Sequence, residues 1–292
     1  MGVFYMTTKK HAVLDHPILA YALFALLVMF VSSMFSSFID TPLAYVIPGY
    51  GTELAVGDYK MMTASGVGAA IGAVLCVVLF RLIFMKEFNG MLKGKGLLMG
   101  LLFLLPFLVF HYAGSIVSWV QFGTASIFIA FLRATAPGFM EEIAFRGLGV
   151  ANYMRVKNND AGIIKIFWIS SFVFGFVHML NFFAGAPLLI SLIQSVYAMG
   201  IGMALCAVYL RTGTLWPTII AHLTVDFMEF IRADLGSSGG VMLGMGIGDW
   251  ITIAAGAFAA FWGLYLIRKS KRQEIIDLWN EKWPKAEETA AA

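Results

Sequence analysis

Long apolar runs, almost free of charge, recur along the whole chain, at about 17–38, 61–85, 96–112, 116–153, 161–183, 187–210, 214–232 and 241–267. A helix needs about 17–25 apolar residues to cross the hydrocarbon layer of a bilayer, and these runs supply them. A chain of 292 residues is long enough for a sizeable soluble core. Soluble domains, however, carry roughly 25% charged residues. Here 13% are charged and 60% hydrophobic, with a mean hydropathy of +0.83. The expected fold is all-α: a polytopic transmembrane bundle of about eight helices forming a single membrane domain, 1–292, whose residues 270–292 are a polar cytoplasmic tail.

The fourth run, 116–153, is too long for one straight crossing, and Arg133 and Pro137 interrupt it. Proline disfavours a continuous helix before it and suits the first turn of a new one. The run is therefore either one long helix broken near Pro137 or two segments, with a helix expected from about Pro137 to Tyr153. Lys9 and Lys10 precede an apolar run longer than the core of a cleavable signal, which is read as a retained first helix. Basic residues then gather on one side of the membrane: Lys86, Lys93, Lys95, Arg155, Lys157, Lys165, Arg211 and the group from Arg268 to Arg272. Asp40, Glu53, Asp58, Lys60, Glu229, Arg232, Asp234 and Asp249 fall in the loops of the other side. This bias predicts an even number of crossings with both termini cytoplasmic. In a prokaryote the membrane would be the cell membrane. Gly68 and Gly72 form a GxxxG suited to close helix packing. Cys76 and Cys206 lie in apolar runs and read as packing residues. The net charge of +3 is spread without a basic, aromatic-interleaved patch, so nucleic acid is not an expected partner.

An ionisable side chain within a membrane segment is costly and usually has a partner and a task. Three motifs concentrate them. In Pro137-Gly-Phe-Met-Glu-Glu-Ile-Ala-Phe-Arg146, Glu142 and Arg146 are i,i+4 neighbours and neutralise one another. Glu141 is turned about 100° away, free to face another element. An unpaired carboxyl in a low-dielectric site suits general acid–base work. A purely structural ion pair is the competing reading of this motif. Phe174 and His178 form the second motif, with Phe174 one turn before the histidine as a packing partner or pocket wall and Asn181 placed to orient it. His222 and Asp226 form the third, one helix turn apart, so the aspartate can hold the imidazole's tautomer or pair with its charged form.

The ordered set EExxxR, FxxxH and HxxxD, with Phe145-Arg146-Gly147 and the run Arg211-Thr-Gly-Thr-Leu-Trp216-Pro217, resembles the CAAX-protease and bacteriocin-processing (CPBP, or Abi) family of intramembrane endopeptidases. The resemblance spans about Pro137 to Asp226; the first three segments share only their hydrophobicity with it. It implies hydrolysis of a peptide bond in a peptide or a lipidated or membrane-associated protein tail, within the bilayer. Glu141 would be the base that activates water, and His178 would help to position that water. Glu142 and Arg146 would brace the helix, and His222 with Asp226 would stabilise the oxyanion. Many relatives carry asparagine where this chain has Asp226. An ionised aspartate cannot donate to an oxyanion, so Asp226 is either protonated or acts by orienting His222. Phe174 and Asn181 are the expected substrate-side residues. No HExxH zinc motif is present. The resemblance favours a cofactor-free glutamate mechanism, the alternative being a zinc ion held by Glu141, His178 and His222. Two other functions fit the same residues. One is a non-enzymatic immunity or regulatory scaffold; the other is a proton-coupled transporter, against which stands the lack of an inverted repeat.

Overall fold

With no water in the hydrocarbon layer, a spanning segment must satisfy its own backbone hydrogen bonds, and helices do so. The computed structural model, which describes residues 13–56, 59–83, 96–233 and 245–283, is accordingly a bundle of helices. Helix α1 runs from Pro17 to Val46 and is followed by a short antiparallel hairpin, β1 (Thr52–Val56) with β2 (Tyr59–Thr63). Then come α2 (Val67–Ile83), α3 (Leu97–Phe122) and α4 (Ile127–Ala136). Two π-helical segments, Pro137–Glu141 and Ile143–Gly147, lead into α5 (Leu148–Val156). The chain continues through α6 (Asp160–Val177), the short α7 (Leu180–Phe183), α8 (Leu188–Thr212), α9 (Trp216–Phe230), α10 (Ile247–Leu266) and α11 (Lys269–Lys282).

Among the described residues, five stretches are long and apolar enough to cross a membrane: Pro17–Val46, Leu97–Phe122, Asp160–Phe183, Leu188–Thr212 and Ile247–Leu266. Their outer faces carry exposed large side chains such as Leu26, Phe30, Val120, Phe172, Phe176, Leu189 and Val196. A surface of this kind is stable only against lipid, and the polar residues lie inside. Helix α8 sits between α6 and α10; α10 packs on α3, α3 on α9, and α9 on α4 and the first π segment. Helix α1 covers α2 and α5 from the other side.

Several segment boundaries differ from those read in the sequence. The first helix continues to Val46, and residues 59–63 belong to the hairpin, so the second begins only at Val67. Asp40 sets that start: its carboxylate accepts from the backbone N–H groups of Gly66, Gly68 and Ala69 at 2.9–3.2 Å and from the Tyr50 hydroxyl at 2.8 Å. These donors at a helix N-terminus have no intrahelical acceptor, and the carboxylate also complements the helix dipole. The break expected between 112 and 116 is absent: α3 runs through it, and Gly114 there serves a close approach, since a Cβ would lie 2.7 Å from Thr252 and 2.9 Å from the carbonyl of Gly248. The chain turns instead at Gly123, whose φ of 78° is left-handed, and Ser126 caps α4. Residues 127–156 then form one rod in which Pro137, lacking an N–H, is absorbed by the wide π turns.

Asp40, Glu229, Arg232 and Asp249, expected in loops, are buried, each with a partner. Arg232 forms an ion pair with Asp249 and lies over the Phe122 ring, while Ser115 donates to Glu229. Asp58, Asp234, Lys86, Lys93, Lys95, Lys9 and Lys10 lie outside the described residues. The GxxxG glycines do face a helix, meeting the α1 backbone near Phe35 and Ser32. Of the polar tail, residues 269–282 form α11, which docks through Trp279: the ring is fully buried and its Nε1 donates to the Leu210 carbonyl at 2.9 Å. On its solvent side the Lys271 ammonium holds the Glu274 carboxyl below the usual carboxylate range.

Candidate active site

The first π segment and α9 build the site together. Pro217 in the first turn of α9 starts that helix directly after the three-residue turn 213–215. Gly138 lets it approach: a Cβ at Gly138 would lie 2.6 Å from Leu223 Cβ and 3.0 Å from Leu223 Cα. His222, the residue before Leu223, thereby reaches both glutamates of the π segment. Its Nδ1 is 2.8 Å from Glu142 Oε1, and its Nε2 is 3.9 Å from Glu141 Oε2. Asp226, one turn along α9, places Oδ2 3.2 Å from the same Nε2. Both ring nitrogens thus face carboxylates, and both donate at once only in the imidazolium form.

Arg146 donates from Nη1 to Glu142 Oε1 at 2.8 Å, and neither side chain has solvent exposure. Glu142 Oε1 therefore accepts from Arg146 and faces His222 at the same distance. The guanidinium carbon stands 3.8 Å above the Phe174 ring, a cation–π contact made strong by burial. Gly202 of α8 leaves the room: a Cβ there would lie 3.0 Å from Arg146 Nη2. The Phe174 ring is the hub of the site. Its centroid is 5.1 Å from that of His178 and 5.6 Å from those of His222 and Phe145. The three motifs, dispersed over some eighty residues of sequence, meet around one phenylalanine.

His178 closes α6, and its Nδ1 is bound to the Phe174 carbonyl at 2.8 Å. A carbonyl only accepts, so Nδ1 carries the proton and Nε2 is left as an acceptor in the neutral ring. Asn181 does not perform the expected orientation. Its amide donates to Gln194 of α8 at 2.7 Å, tying α7 to α8, while the backbone carbonyl of Phe174 orients the histidine. Gly138, Gly202 and Gln194 were not singled out by sequence. A glycine three residues before Glu141 was the only signal of the first; the other two have none without the fold.

Glu141 Oε2, Glu142 Oε2, and Nε and Nη2 of Arg146 are buried without a hydrogen-bond partner among the described residues. Such atoms are rare in a finished core and collect where a water or substrate is handled. The donors do not converge as a metal set. No group of three or more His, Cys, Asp or Glu among the described residues is arranged to hold an ion. His222 has both nitrogens committed to carboxylates and His178 has one committed to a carbonyl, so no step below is routed through a metal.

Residues 123–228 match the family model described as type II CAAX prenyl endopeptidase Rce1-like. This stretch of the chain is similar to that family. No curated protein and no solved structure matches the chain. The Rce1-like stretch runs from the turn before α4 to the penultimate turn of α9, so it contains every residue of the cluster just described. Helices α1, α2, α3, α10 and α11 lie outside it and support it from the sides.

Proposed function

We propose that the chain is an intramembrane endopeptidase that hydrolyses a peptide bond in a membrane-associated peptide or protein tail, using a glutamate-activated water and no metal. The observation that carries this reading is the convergence of Glu141, His222 and His178 around Phe174 inside a lipid-facing bundle. The Rce1-like match supports a CAAX-type protease at the level of the family.

Amide hydrolysis needs a base for water, stabilisation of the developing oxyanion and a proton for the leaving amine. Glu141 is the base: its Oε2 is buried and uncommitted to a donor, whereas Glu142, which also has one such oxygen, is engaged through Oε1 by Arg146 and His222. It takes one proton from water and returns it to the amine nitrogen as the C–N bond breaks. His178 offers Nε2 as acceptor for the second water proton, since its Nδ1 is held by Phe174. Glu142, anchored by Arg146, holds His222 from behind at Nδ1 and directs Nε2 toward Glu141. Nε2–H, which faces Asp226 in the resting site, is shared with the oxyanion as a bifurcated donor when the tetrahedral intermediate forms. Asp226 acts on His222 rather than on the oxyanion, because its Oδ2 faces the same nitrogen. Phe174 forms the wall between the two histidines and Asn181 fixes α7 at the substrate side. The basic residues near α11 support a cytoplasmic position for that end of the bundle and for both termini.

The test is comparative peptidomics of membranes holding the native chain or Glu141→Ala, with a farnesylated CAAX peptide carrying a fluorophore and quencher as a defined probe. Peptides released only by the native chain support the reading. A scaffold would give identical profiles while both proteins kept their biological effect, and a transporter would show Glu141-dependent uptake without cleavage.

A further inference from the structure

Helix α9 bears one more buried ionisable group than the proposed reaction uses. Glu229 follows His222 by seven residues and Asp226 by three, so the three share a helix face. It is 8% exposed. Ser115 Oγ of α3 donates to Glu229 Oε1 at 2.8 Å and stands 3.4 Å from Nδ1 of His111. His111 Nε2 is hydrogen-bonded to the hydroxyl of Tyr197 on α8 and lies 3.8 Å from Glu229 Oε1. A hydroxyl can give one proton while taking another, and an imidazole has one nitrogen for each role. Tyr197, His111, Ser115 and Glu229 therefore form a chain across three helices in which protons can redistribute by short shifts.

The charge inventory gives that chain a task. Arg146 offsets Glu142, and Arg232 offsets Asp249. On and beside α9, Glu141, Asp226 and Glu229 remain, set among His178, His222 and His111. Unpaired charge inside a bilayer is costly, so a carboxyl here is set against a group that can give or take a proton. We propose that Glu229, with Ser115, His111 and Tyr197, is a second proton-holding site whose charge acts along α9 on the Glu141–His222–Asp226 centre. The groups that face Glu229 are His111 and Ser115 from α3, Tyr197 from α8, Asp226 on its own helix, and the pair of Arg232, just after α9, with Asp249 in the first turn of α10. Glu229, His111 and Ser115 all lie outside the Rce1-like stretch, which ends at 228. Tyr197, on α8, lies within it, so the site joins α3 to the matched helices.

This inference rests on the endopeptidase reading for its effect on rate. A rise of about 1.5 Å per residue puts Glu229 about 10 Å along the axis from His222. Two unit charges about 10 Å apart at an effective dielectric of about 20 shift one another's titration by about one pH unit. Glu229→Gln keeps an acceptor for Ser115 and removes the charge. Measured on the full chain in vesicles with the farnesylated peptide, its acid limb of kcat/KM moves about one unit toward lower pH, because a base relieved of a nearby negative charge ionises earlier. KM at the plateau is unchanged, as a merely structural role would not predict. A wild-type acid limb overturns the proposal. Should Glu229→Gln fail to fold, His111→Gln must also displace the limb, and an unmoved limb there has the same force. Infrared titration of the carboxyl C=O stretch reads the site without activity: a band present in the native chain is lost in Glu229→Gln, and superimposable spectra overturn the proposal. Loss of the band in a chain without Glu141-dependent cleavage would defeat the endopeptidase reading alone.

Discussion

Replacing Gly138 with alanine puts a methyl carbon 2.6 Å from Leu223 Cβ and 3.0 Å from Leu223 Cα. Ordinary carbon–carbon contact is about 3.5–4.0 Å, so α9 must retreat from the π segment by about 1 Å. The clash involves the α9 backbone, so rotating the Leu223 side chain does not relieve it. The retreat falls on the gaps that define the site: 3.9 Å between His222 Nε2 and Glu141, and 2.8 Å between His222 Nδ1 and Glu142. A misplacement of about 1 Å in a catalytic constellation costs about 100-fold in rate. Overpacking of this kind destabilises by about 1–3 kcal/mol, which a bundle of this size survives. The assay is kcat on the quenched farnesylated peptide in reconstituted vesicles, with a melting curve for each variant. Gly263→Ala is the control: its Cβ would lie 2.7 Å from the Met203 backbone, between α10 and α8, where no side chain of the Glu141–His222–Asp226 group is among its nearest contacts. Gly138→Ala should lose about two orders of magnitude in kcat while Gly263→Ala loses mainly stability. Native kcat in Gly138→Ala, or equal kcat losses in both, would refute the reasoning.

Other substitutions probe the remaining parts of the site. Arg146→Met strips the partner from a fully buried Glu142 and should lower stability by about 3–5 kcal/mol, read as a fall in Tm. Adding Glu142→Gln should recover part of that loss, since the uncompensated charge is gone; strictly additive losses would deny that the two form a pair. Asp226→Asn retains an acceptor for His222 Nε2 and should keep kcat within about tenfold of native, whereas Asp226→Leu should lose about 100-fold or more, as for removal of an oxyanion-site group. Equal inactivation by both would show that the charge of Asp226, rather than its hydrogen bond, is required.

The lipid-facing helices and the three motifs were legible because each rests on local pattern. Apolar length predicts spanning helices, and i,i+4 spacing predicts the Glu142–Arg146 and His222–Asp226 contacts. What sequence could not supply is which helix receives each free group. Glu141 was seen to be turned away from Glu142, but its approach to His222 depends on Gly138 and Leu223, residues far apart in the chain. The same limit explains Asn181, whose spacing from His178 suggested a partner that the fold gives to Gln194. Asp40, Glu229, Arg232 and Asp249 were read as loop charges because hydropathy marks them as segment ends. Their burial follows from partners on other elements: three backbone N–H groups for Asp40, Ser115 for Glu229, and one another for Arg232 and Asp249. Gly114 and Pro137 show how a residue that interrupts a helix in sequence is tolerated in the bundle, the first by a close neighbour and the second by a π turn.

The most direct test of a glutamate-driven intramembrane hydrolysis is cleavage by the purified chain in lipid vesicles, native against Glu141→Ala, after extensive chelation and with folding verified by melting curves. The account predicts that the native protein releases peptide at an undiminished rate after chelation, and that Glu141→Ala, equally folded and inserted, releases none above the vesicle background. Cleavage by Glu141→Ala at the native rate would contradict it.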